Sequence, residues 1–391
     1  MSINRQEVSL SRRKFVKGLA ATAAVAGLGG SVLTGCASSA GSSGTPASSG
    51  IAENTEARTV NWDTPEDLIV ATLGKDIKIA CILVAAHEGL YEEENVNVTL
   101  ETVANLSDGI TAVSENKLDV LPFGVIPTCS FVGNGVENVV VFGGTIAEGS
   151  ECVTLPENAK NYKKIEDFTG KKMAFFPMET GHLVIQGLQA DAGTFVPGDW
   201  VVQDSQATIV EAVRKGEVDC GFVNSGFGYI AQQSDVVPAM HVGSLRPDFP
   251  CCRQTTSKDA LENKSSALTK FMVANLRAYD IIQNDKPKAI AALVEYSGQD
   301  AAYVESIIYG MGDYETPMII EMDPYTDAVC EFYEIMEQTE NIPNPGTYMM
   351  ENHVDSTIYK AALDEMITRG DNATLFAELE TVYKSHNTLD R

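Results

Sequence analysis

The chain has 391 residues, a formal net charge of −26 and 44% hydrophobic residues. So large a negative charge argues against a nucleic-acid-binding protein, because such proteins neutralise phosphates with Lys and Arg side chains. The length is ample for a large hydrophobic core and favours a protein with two lobes.

The N-terminus has the layout of an export signal. Arg12 and Arg13 precede an apolar stretch at residues 19–33, which is too short and too rich in small residues for a membrane-spanning helix. The paired arginines resemble a twin-arginine signal. The stretch ends in Leu-Thr-Gly followed by Cys36, which resembles a bacterial lipobox. We therefore expect residues 1–35 to be a signal peptide and Cys36 to become the lipidated first residue of the mature chain.

A flexible segment follows the lipobox. Residues 37–50 consist of Gly, Ser, Ala, Thr and Pro, a composition that cannot bury apolar surface. We expect residues 36–66 to tether a folded domain to the outer face of the cytoplasmic membrane. Two or more acyl chains on one cysteine make a stable anchor, whereas a single chain binds a membrane only marginally.

Strand-like and helix-like segments alternate after the tether, which favours an α/β architecture with parallel strands. The predicted strands lie at residues 77–83, 96–103, 118–123 and 139–142. A helical pattern at residues 108–116 separates the second strand from the third.

A second group of α/β units follows a polar linker. Its predicted strands lie at residues 173–176, 200–202 and 218–223, with one helix beginning near Thr180 and another at residues 208–214. The last third of the chain is mostly helical. Its amphipathic segments lie at residues 267–284, 287–296, 301–309, 323–339 and 374–386.

Four stretches of the chain carry a family resemblance. They are residues 85–100, 105–120, 167–174 and 211–221. Their order and spacing, over about residues 75–300, resemble the nitrate/sulfonate/taurine group of ABC-transporter solute-binding proteins. A glycine is usual in that group where Asn116 or Lys117 stands, so the chain departs slightly from the pattern.

The resemblance implies a type II periplasmic-binding fold. In that fold two α/β lobes, each a mainly parallel sheet flanked by helices, are joined by two crossings and close on a ligand between them. Lobe 1 is expected to comprise residues 67–152 and 248–391, including a helical C-terminal extension, and lobe 2 to comprise residues 153–247.

Candidate ligand-binding residues follow from the strand ends. Ligands of open parallel sheets bind beyond the carboxyl ends of the strands, and helix N-termini there offer N–H groups and partial positive charge to anions. The predicted residues of lobe 1 are Cys81, Ile82, Asn105, Ser107, Phe123, Gly124 and Val125.

The strongest candidate in lobe 2 is an anion cradle at the start of a helix. Thr180 would cap the helix, Gly181 would let a ligand approach closely and His182 would donate a hydrogen bond to it. The alternative interpretation is an ordinary capped helix with an exposed histidine.

Two further places complete the predicted site. Asn224, Ser225 and Phe227 follow a strand and would combine polar donors with an aromatic wall, or else form an ordinary turn. Arg253 lies where the chain re-enters lobe 1 and could bind an oxyanion with two N–H groups, or else lie on the surface.

Nothing in the sequence indicates catalysis or a metal. The five histidines and eight cysteines have no zinc-type spacing, and no catalytic motif appears, so we expect no enzyme, no metal and no cofactor. Besides Cys36, seven cysteines remain. Free thiols are favoured for them, although Cys251 and Cys252 could form a vicinal disulfide.

The predicted function is capture of a small anionic or zwitterionic solute, such as a sulfonate, nitrate or taurine, and its delivery to an ABC permease. We expect a monomer that binds the membrane through Cys36. Three alternatives stay open: a binding protein for a membrane sensor, a receptor for an aromatic or pyrimidine ligand (favoured by Phe123, Phe227 and Tyr229), and an enzyme similar to thiamine-pyrimidine synthases.

Overall fold

The computed structural model describes residues 59–177, 179–312 and 314–389. The predicted signal peptide, Cys36 and most of the predicted tether lie outside the described residues. Within the described part of the chain, no helix is both long and apolar enough to cross a membrane.

A pair of parallel strands opens the fold. β1 (Glu66–Thr72) pairs with β2 (Val96–Thr102) over its whole length. The prediction of β2 is confirmed. β1 was not predicted, because its two opening residues are acidic and its apolar run is short. The predicted strand at residues 118–123 makes only isolated bridges, one of them between Val70 and Val120.

The prediction of a strand at residues 77–83 is wrong. The chain enters helix α1 (Ala80–His87) there, and the first six residues of that helix are buried. A short, continuous apolar run fits a buried strand and a buried helix equally well, so periodicity could not separate the two.

A second sheet completes the strands of the first lobe. β3 (Val140–Ala147) lies between β9 (Pro250–Thr256) and β10 (Ile319–Ile320) and is antiparallel to both. Every residue of β3 and β9 is buried, so this sheet is covered on both faces.

A five-stranded mixed sheet forms the second lobe. Its order is β6-β5-β7-β4-β8, with β5 parallel to β6 and β7, and β4 antiparallel to β7 and β8. Its strands are β4 (Ser150–Thr154), β5 (Met173–Phe175), β6 (Trp200–Val202), β7 (Cys220–Asn224) and β8 (Val237–His241). All three strands predicted for this region are confirmed.

Helices cover the sheets. After α1 they are α2 (Leu90–Glu93), α3 (Leu106–Ser114), α4 (Val125–Gly133), α5 (Gly181–Asp191), α6 (Gln206–Arg214), α7 (Phe227–Ala231), α8 (Lys258–Asn263), α9 (Ser265–Asn284), α10 (Lys286–Ser297), α11 (Ala301–Tyr309), α12 (Thr326–Gln338), α13 (Thr357–Arg369) and α14 (Ala373–His386). Four helices begin at a residue whose side chain accepts a backbone N–H of the first turn, which explains where they start. They are α3, α6, α8 and α11, capped by Asn105, Ser205, Ser257 and Asp300 respectively.

The two-lobed α/β architecture is confirmed. Lobe 1 contains β1–β3, β9 and β10, and lobe 2 contains β4–β8. The exact bounds given above for the lobes stay a prediction. The C-terminal extension also contacts lobe 2, because α12 packs on α5 with Ile335 against Gly187, where an added Cβ would lie 3.0 Å from the isoleucine.

Candidate functional site between the lobes

The chain passes between the lobes twice, from β3 to β4 and from β8 to β9. Glu148 lies in the first passage, and its Oε1 accepts the N–H of Asp248 in the second at 2.8 Å. Its Oε2 lies 3.4 Å from His241 Nδ1. Burial opposes ionisation, but the hydrogen bonds from His241 and Asp248 hold the pKa of Glu148 below its ordinary value. One carboxylate therefore ties the two passages together.

The predicted anion cradle at the start of α5 already holds a carboxylate. Glu179 is completely buried. Its Oε1 accepts the N–H of Gly181 and its Oε2 accepts the N–H of His182, both at 2.7 Å. The His182 Nδ1 lies 3.3 Å from the same Oε2. The charge that a helix N-terminus favours is thus supplied by the protein itself.

The three residues of the predicted cradle contact protein groups, and their predicted contact with a ligand stays a prediction. The expectation that Thr180 caps α5 is wrong, since its side chain makes no capping hydrogen bond within the described structure. Because Gly181 has no side chain, Ser150 packs closely against it: a Cβ at Gly181 would lie 2.0 Å from Ser150 Oγ. The His182 ring is buried and stacks on Phe175 with a centroid distance of 4.3 Å. The expectation of an exposed histidine here is also wrong.

The loop after β7 is used partly for internal contacts. The Asn224 N–H donates to Gln206 Oε1 at 2.7 Å, and Ser225 Oγ lies 3.3 Å from His241 Nε2. Phe227 is half-buried and packs against the core of lobe 2, and its predicted contact with a ligand stays a prediction.

A tyrosine of the C-terminal extension enters the same loop. The Gly226 N–H donates to Tyr314 Oη at 2.9 Å, and the Tyr314 hydroxyl donates to Glu151 Oε1 at 2.8 Å. Glu151 Oε2 accepts the Gly228 N–H at 2.9 Å, and the Thr316 hydroxyl also donates to this carboxyl. Burial raises the pKa of Glu151 despite these hydrogen bonds. Two backbone donors of the loop are therefore taken by protein groups.

The predicted residues of lobe 1 fall into two sets. Cys81 and Ile82 are buried within α1, away from the strand end at which they were expected. Asn105 and Ser107 are exposed, and Asn105 caps α3 by accepting the Asp108 N–H at 2.9 Å. A role for these four residues in ligand binding stays a prediction.

The segment from Phe123 to Val125 leads into α4. Phe123 and Val125 are buried. Gly124 has a φ of +50°, and a Cβ there would lie 3.0 Å from Leu106 Cδ1, so two constraints favour glycine. The Gly124 N–H faces the thiol of Cys252. This helix start therefore meets a sulfur atom, where the start of α5 meets a carboxylate.

Arg253 is completely buried, which contradicts the surface alternative. Its Nη1 donates to the carbonyl oxygens of Ile146 at 2.9 Å and Cys252 at 3.1 Å. Its guanidinium lies 5.1 Å from the ring centre of Tyr325. Arg253 thus supports the passage into lobe 1, and its predicted contact with a ligand stays a prediction.

Sequence reasoning missed a group of residues where the lobes meet. Lys78 Nζ lies 3.1 Å from Asp76 Oδ2, and the Sγ atoms of Cys251 and Cys252 lie 3.9 Å apart. Burial opposes the charge of Lys78, but Asp76 and the two thiols raise its pKa above the ordinary value. The sequence pattern placed Lys78 in a strand. Its position just before a helix start would have marked it as a candidate site residue.

Unpaired hydroxyls lie beside this group. Ser150 Oγ and Thr180 Oγ1 are buried and have no hydrogen-bond partner among the described residues. Thr180 of lobe 2 lies next to the thiol of Cys251 in lobe 1. Buried polar atoms in proteins are nearly always paired, so these two hydroxyls indicate a place for a further polar group.

The charges around the meeting point are mostly acidic. Asp76, Glu148, Glu151 and Glu179 lie there, and Lys78 and the buried Arg253 are the cations among them. No group of His, Cys, Asp and Glu that could hold a metal ion occurs in the parts of the chain that the structure describes.

A cavity of about 490 Å³ lies on lobe 1, beside Trp62 and Asp371. Its two arginines are already engaged: Arg369 binds both oxygens of Glu94 at 2.6 and 2.7 Å, and Arg277 binds the same carboxylate at 2.7 Å. This cavity is an ion-pair cluster lined by residues of lobe 1, away from the two passages between the lobes, so we place the candidate site between the lobes.

Solved structures similar to this chain show its fold. The chain is similar to the periplasmic aliphatic sulphonate binding protein SsuA from Escherichia coli, with a TM-score of 0.59, 15% identity and coverage of 74% of this chain and 99% of that one. It is also similar to the periplasmic nitrate-binding protein NrtA from Synechocystis PCC 6803 (TM-score 0.62, 11% identity, 77% and 89% coverage). A third is the desulfurization enzyme DSZB (TM-score 0.54, 11% identity, 77% and 99% coverage). The two-lobed periplasmic-binding fold is therefore established.

The family model described as "NMT1/THI5 like" matches residues 76–290, more than half of the chain. The chain belongs to this family. The match begins at Asp76 and includes every residue of the candidate site named above except those of the C-terminal extension. No curated protein sequence matches the chain.

Proposed function

We propose that the protein is an extracytoplasmic solute receptor that binds a small molecule where its two lobes meet. The observation that carries this proposal is the pair of buried hydroxyls of Ser150 and Thr180, which have no hydrogen-bond partner among the described residues and lie where lobe 2 meets the thiol of Cys251. A bound polar solute would satisfy both hydroxyls, which otherwise cost free energy in a buried place.

The charges favour a zwitterionic solute over a simple anion. Glu179 already occupies the start of α5, so an anionic group would be repelled there. Lys78 on the other side supplies a cation for an acidic group. A taurine-like molecule, with an amine toward the acidic side chains and a sulfonate or carboxylate toward Lys78, fits both features. Nitrate and simple alkanesulfonates fit only the second.

Delivery and anchoring belong to the same proposal. The lipobox at Cys36 and the Gly/Ser tether would hold the receptor at the outer face of the cytoplasmic membrane as a monomer. An ABC permease would be the partner that receives the solute, as the resemblance to importer receptors implies. A membrane sensor is the alternative partner, and a permease gene beside this one would favour import.

A second ligand class has its own observation. Tyr229 lies edge-on to Tyr303 and to Tyr314, with ring centres 5.7 Å apart in both pairs. Tyr303 and Tyr314 come from the C-terminal part and Tyr229 from lobe 2, so this aromatic group spans the lobes and favours an aromatic or pyrimidine ligand. An enzyme similar to thiamine-pyrimidine synthases is the remaining alternative.

Thermal unfolding of the mature chain with a panel of small molecules tests the proposal. The panel is taurine, alkanesulfonates, nitrate, aromatic carboxylates and pyrimidines. A ligand at one hundred times its dissociation constant should stabilise the protein by about 2.7 kcal/mol, which gives a measurable shift in Tm. A shift with taurine but not with ethanesulfonate supports the zwitterion.

Two variants locate the site. Ser150→Ala should abolish the ligand-induced shift, because its hydroxyl is placed where the lobes meet. Ser234→Ala, which removes an exposed hydroxyl of the same lobe, is the matched control and should keep the shift. Loss of the shift in Ser234→Ala with retention in Ser150→Ala would contradict the site. No shift with any member of the panel would overturn the ligand classes.

A further inference from the structure

Cys251 and Cys252 are consecutive, yet their thiols face each other. Consecutive side chains of a regular strand point to opposite faces. Here Cys252 lies opposite Ile146 while Pro250 lies opposite Ala147, so Cys251 is an extra residue in β9. Such a β-bulge changes the direction of one side chain, so Cys251 and Cys252 point to the same side of the strand. The two Sγ atoms therefore lie 3.9 Å apart at the point where the chain enters lobe 1.

The surroundings of Cys252 stabilise a thiolate. The Sγ of Cys251 lies 3.9 Å from it, the ammonium of Lys78 lies nearby and the Gly124 N–H at the start of α4 points at it. Together these groups hold the pKa of Cys252 below its ordinary value, although burial and Asp76 act in the opposite direction. A cation and a helix N-terminus are the two features that make cysteines nucleophilic.

Cys251 is suited to the second step of a disulfide exchange. Its hydrogen bond to Cys252 and its burial raise its pKa, so it stays protonated while Cys252 reacts. Its Sγ lies 3.8 Å from the carbonyl oxygen of Gly149, in the passage between the lobes, and Thr180 of lobe 2 lies beside it. The pair is thus covered by lobe 2, and separation of the lobes would expose it. Lys78, Asp76 and Arg253 are the charged groups that face the two thiols.

We propose that Cys251 and Cys252 form a thiol–disulfide exchange site that reacts with low-molecular-weight disulfides. The thiolate of Cys252 attacks one sulfur of the small disulfide, which releases one thiolate and leaves a mixed disulfide on Cys252. The sulfur of Cys251 then attacks Cys252 Sγ, gives up its proton and releases the second thiol. The protein pair is oxidised to a vicinal disulfide, and the small disulfide is reduced to two thiols.

A second thiol pair in the protein provides an internal control. Cys152 and Cys220 lie close together in the five-stranded sheet of lobe 2, and both are completely buried. Burial raises the pKa of Cys152 well above its ordinary value, and Cys220 and Glu179 raise it further. We expect no exchange there.

Oxidised glutathione is the probe for the test, applied to the full-length purified protein at neutral pH. Peptide mapping by mass spectrometry should find that the peptide with Cys251 and Cys252 loses two hydrogen atoms. Cys251→Ser should stop the reaction at a mixed disulfide of Cys252 with glutathione. Cys252→Ser should give neither product. Exchange at equal rate in Cys252→Ser, or oxidation that maps to Cys152 and Cys220, would overturn the proposal.

Lys78 variants separate chemistry from folding. Lys78→Met should slow the first step a few-fold, because a higher pKa of Cys252 lowers the fraction of thiolate at neutral pH, and the greater nucleophilicity of the remaining thiolate offsets this only in part. Lys78→Arg keeps the charge and should keep most of the rate. Equal rates in the wild type, Lys78→Met and Lys78→Arg would show that Lys78 does not activate Cys252. Failure of the wild type to react over a day, while the urea-unfolded protein reacts, would reject the site itself.

The test does not depend on the proposed solute. A protein that binds none of the panel but oxidises at Cys251 and Cys252 would retain this inference and lose the proposed function. A protein that binds taurine but shows no exchange would do the reverse.

Discussion

Two helices begin close to the meeting point of the lobes, and their starts differ in chemistry. The start of α5 in lobe 2 is filled by the Glu179 carboxylate, which accepts two backbone N–H groups at 2.7 Å. The start of α4 in lobe 1 faces the thiol of Cys252 through the Gly124 N–H. Both follow a buried β-like segment, and each has a glycine in its first positions. The difference shows that a helix N-terminus offers a favourable place for negative charge but does not determine which group takes it.

The two glycines are also required for different reasons. Gly181 has ordinary helical backbone geometry and is constrained by the close approach of Ser150. Gly124 has a positive φ and is crowded by Leu106 and Pro127. Substitutions at the two helix starts can therefore separate steric from conformational requirements.

Among the substitutions compared at a single pH, the largest loss of stability is expected for Gly181→Ala. An alanine inside a helix ordinarily stabilises a protein by about 1 kcal/mol relative to glycine. Here its Cβ would lie 2.0 Å from Ser150 Oγ and 2.4 Å from Ser150 Cβ, so we expect a loss of about 3 kcal/mol in the free energy of unfolding. Urea denaturation measures it. The double variant Gly181→Ala with Ser150→Gly should regain most of the loss, and if it does not, the clash is not the cause.

Removal of the internal carboxylate should convert α5 into an anion site. Glu179→Ala leaves two buried N–H groups without an acceptor, which costs about 2 kcal/mol of stability. Inorganic sulfate should then raise the Tm of the variant more than that of the wild type. Glu217→Ala, which removes an exposed carboxylate of the same lobe, is the control for the general effect of sulfate. Equal shifts in all three proteins would contradict a specific anion site.

The sequence predicted the fold class and most of the helices, but it did not predict which groups occupy the helix starts. Alternation at residues 96–103 and the amphipathic helices after Pro250 predicted elements that the structure contains, because these patterns depend on which face is buried. The start of α5 was also located. What could not be predicted was the rotamer by which Glu179 folds back onto its own helix, since an acidic residue before a helix serves equally well as an exposed side chain.

The missed residues depend on contacts between distant parts of the chain. Lys78 approaches Cys251 and Cys252 only after β9 has returned to lobe 1, and the bulge that turns the two thiols together has no signature in one sequence. The prediction of a strand at residues 77–83 was wrong for a different reason. A segment that is buried on all sides shows no hydrophobic periodicity, so its secondary structure cannot be read from its pattern.

A third carboxylate extends the comparison to pH dependence. Asp323 is buried like Glu179, but one of its oxygens has no partner among the described residues. Burial and the neighbouring Glu321 raise the pKa of Asp323 to about 7, against the effect of Asn387 and Arg253. A raised pKa means that the folded protein holds this proton more tightly than the unfolded chain.

The stabilisation from Asp323 is therefore complete below pH 4 and is lost as the pH rises toward 7. The slope should approach about 1.4 kcal/mol per pH unit within that window. Urea denaturation of the wild type and of Asp323→Asn at pH 4, 5, 6 and 7 measures it, and the difference between the two proteins should change across the series. A constant difference would mean that Asp323 titrates at its ordinary value in the folded protein.

The smallest effect is the difference between Gly124→Ala and Gly170→Ala. Both glycines have positive φ, +50° and +69°, so each substitution should cost about 1 kcal/mol for the left-handed backbone. At Gly170 a Cβ would meet no atom within 4 Å, whereas at Gly124 it would meet Leu106 at 3.0 Å and Pro127 at 3.2 Å. Gly124→Ala should therefore lose a further few tenths to 1 kcal/mol in urea denaturation. If the two losses are equal, Leu106 moves aside at little cost, and backbone conformation alone requires glycine at the start of α4. In that case the two helix starts differ fully: α5 needs its glycine for space, and α4 needs its glycine for conformation.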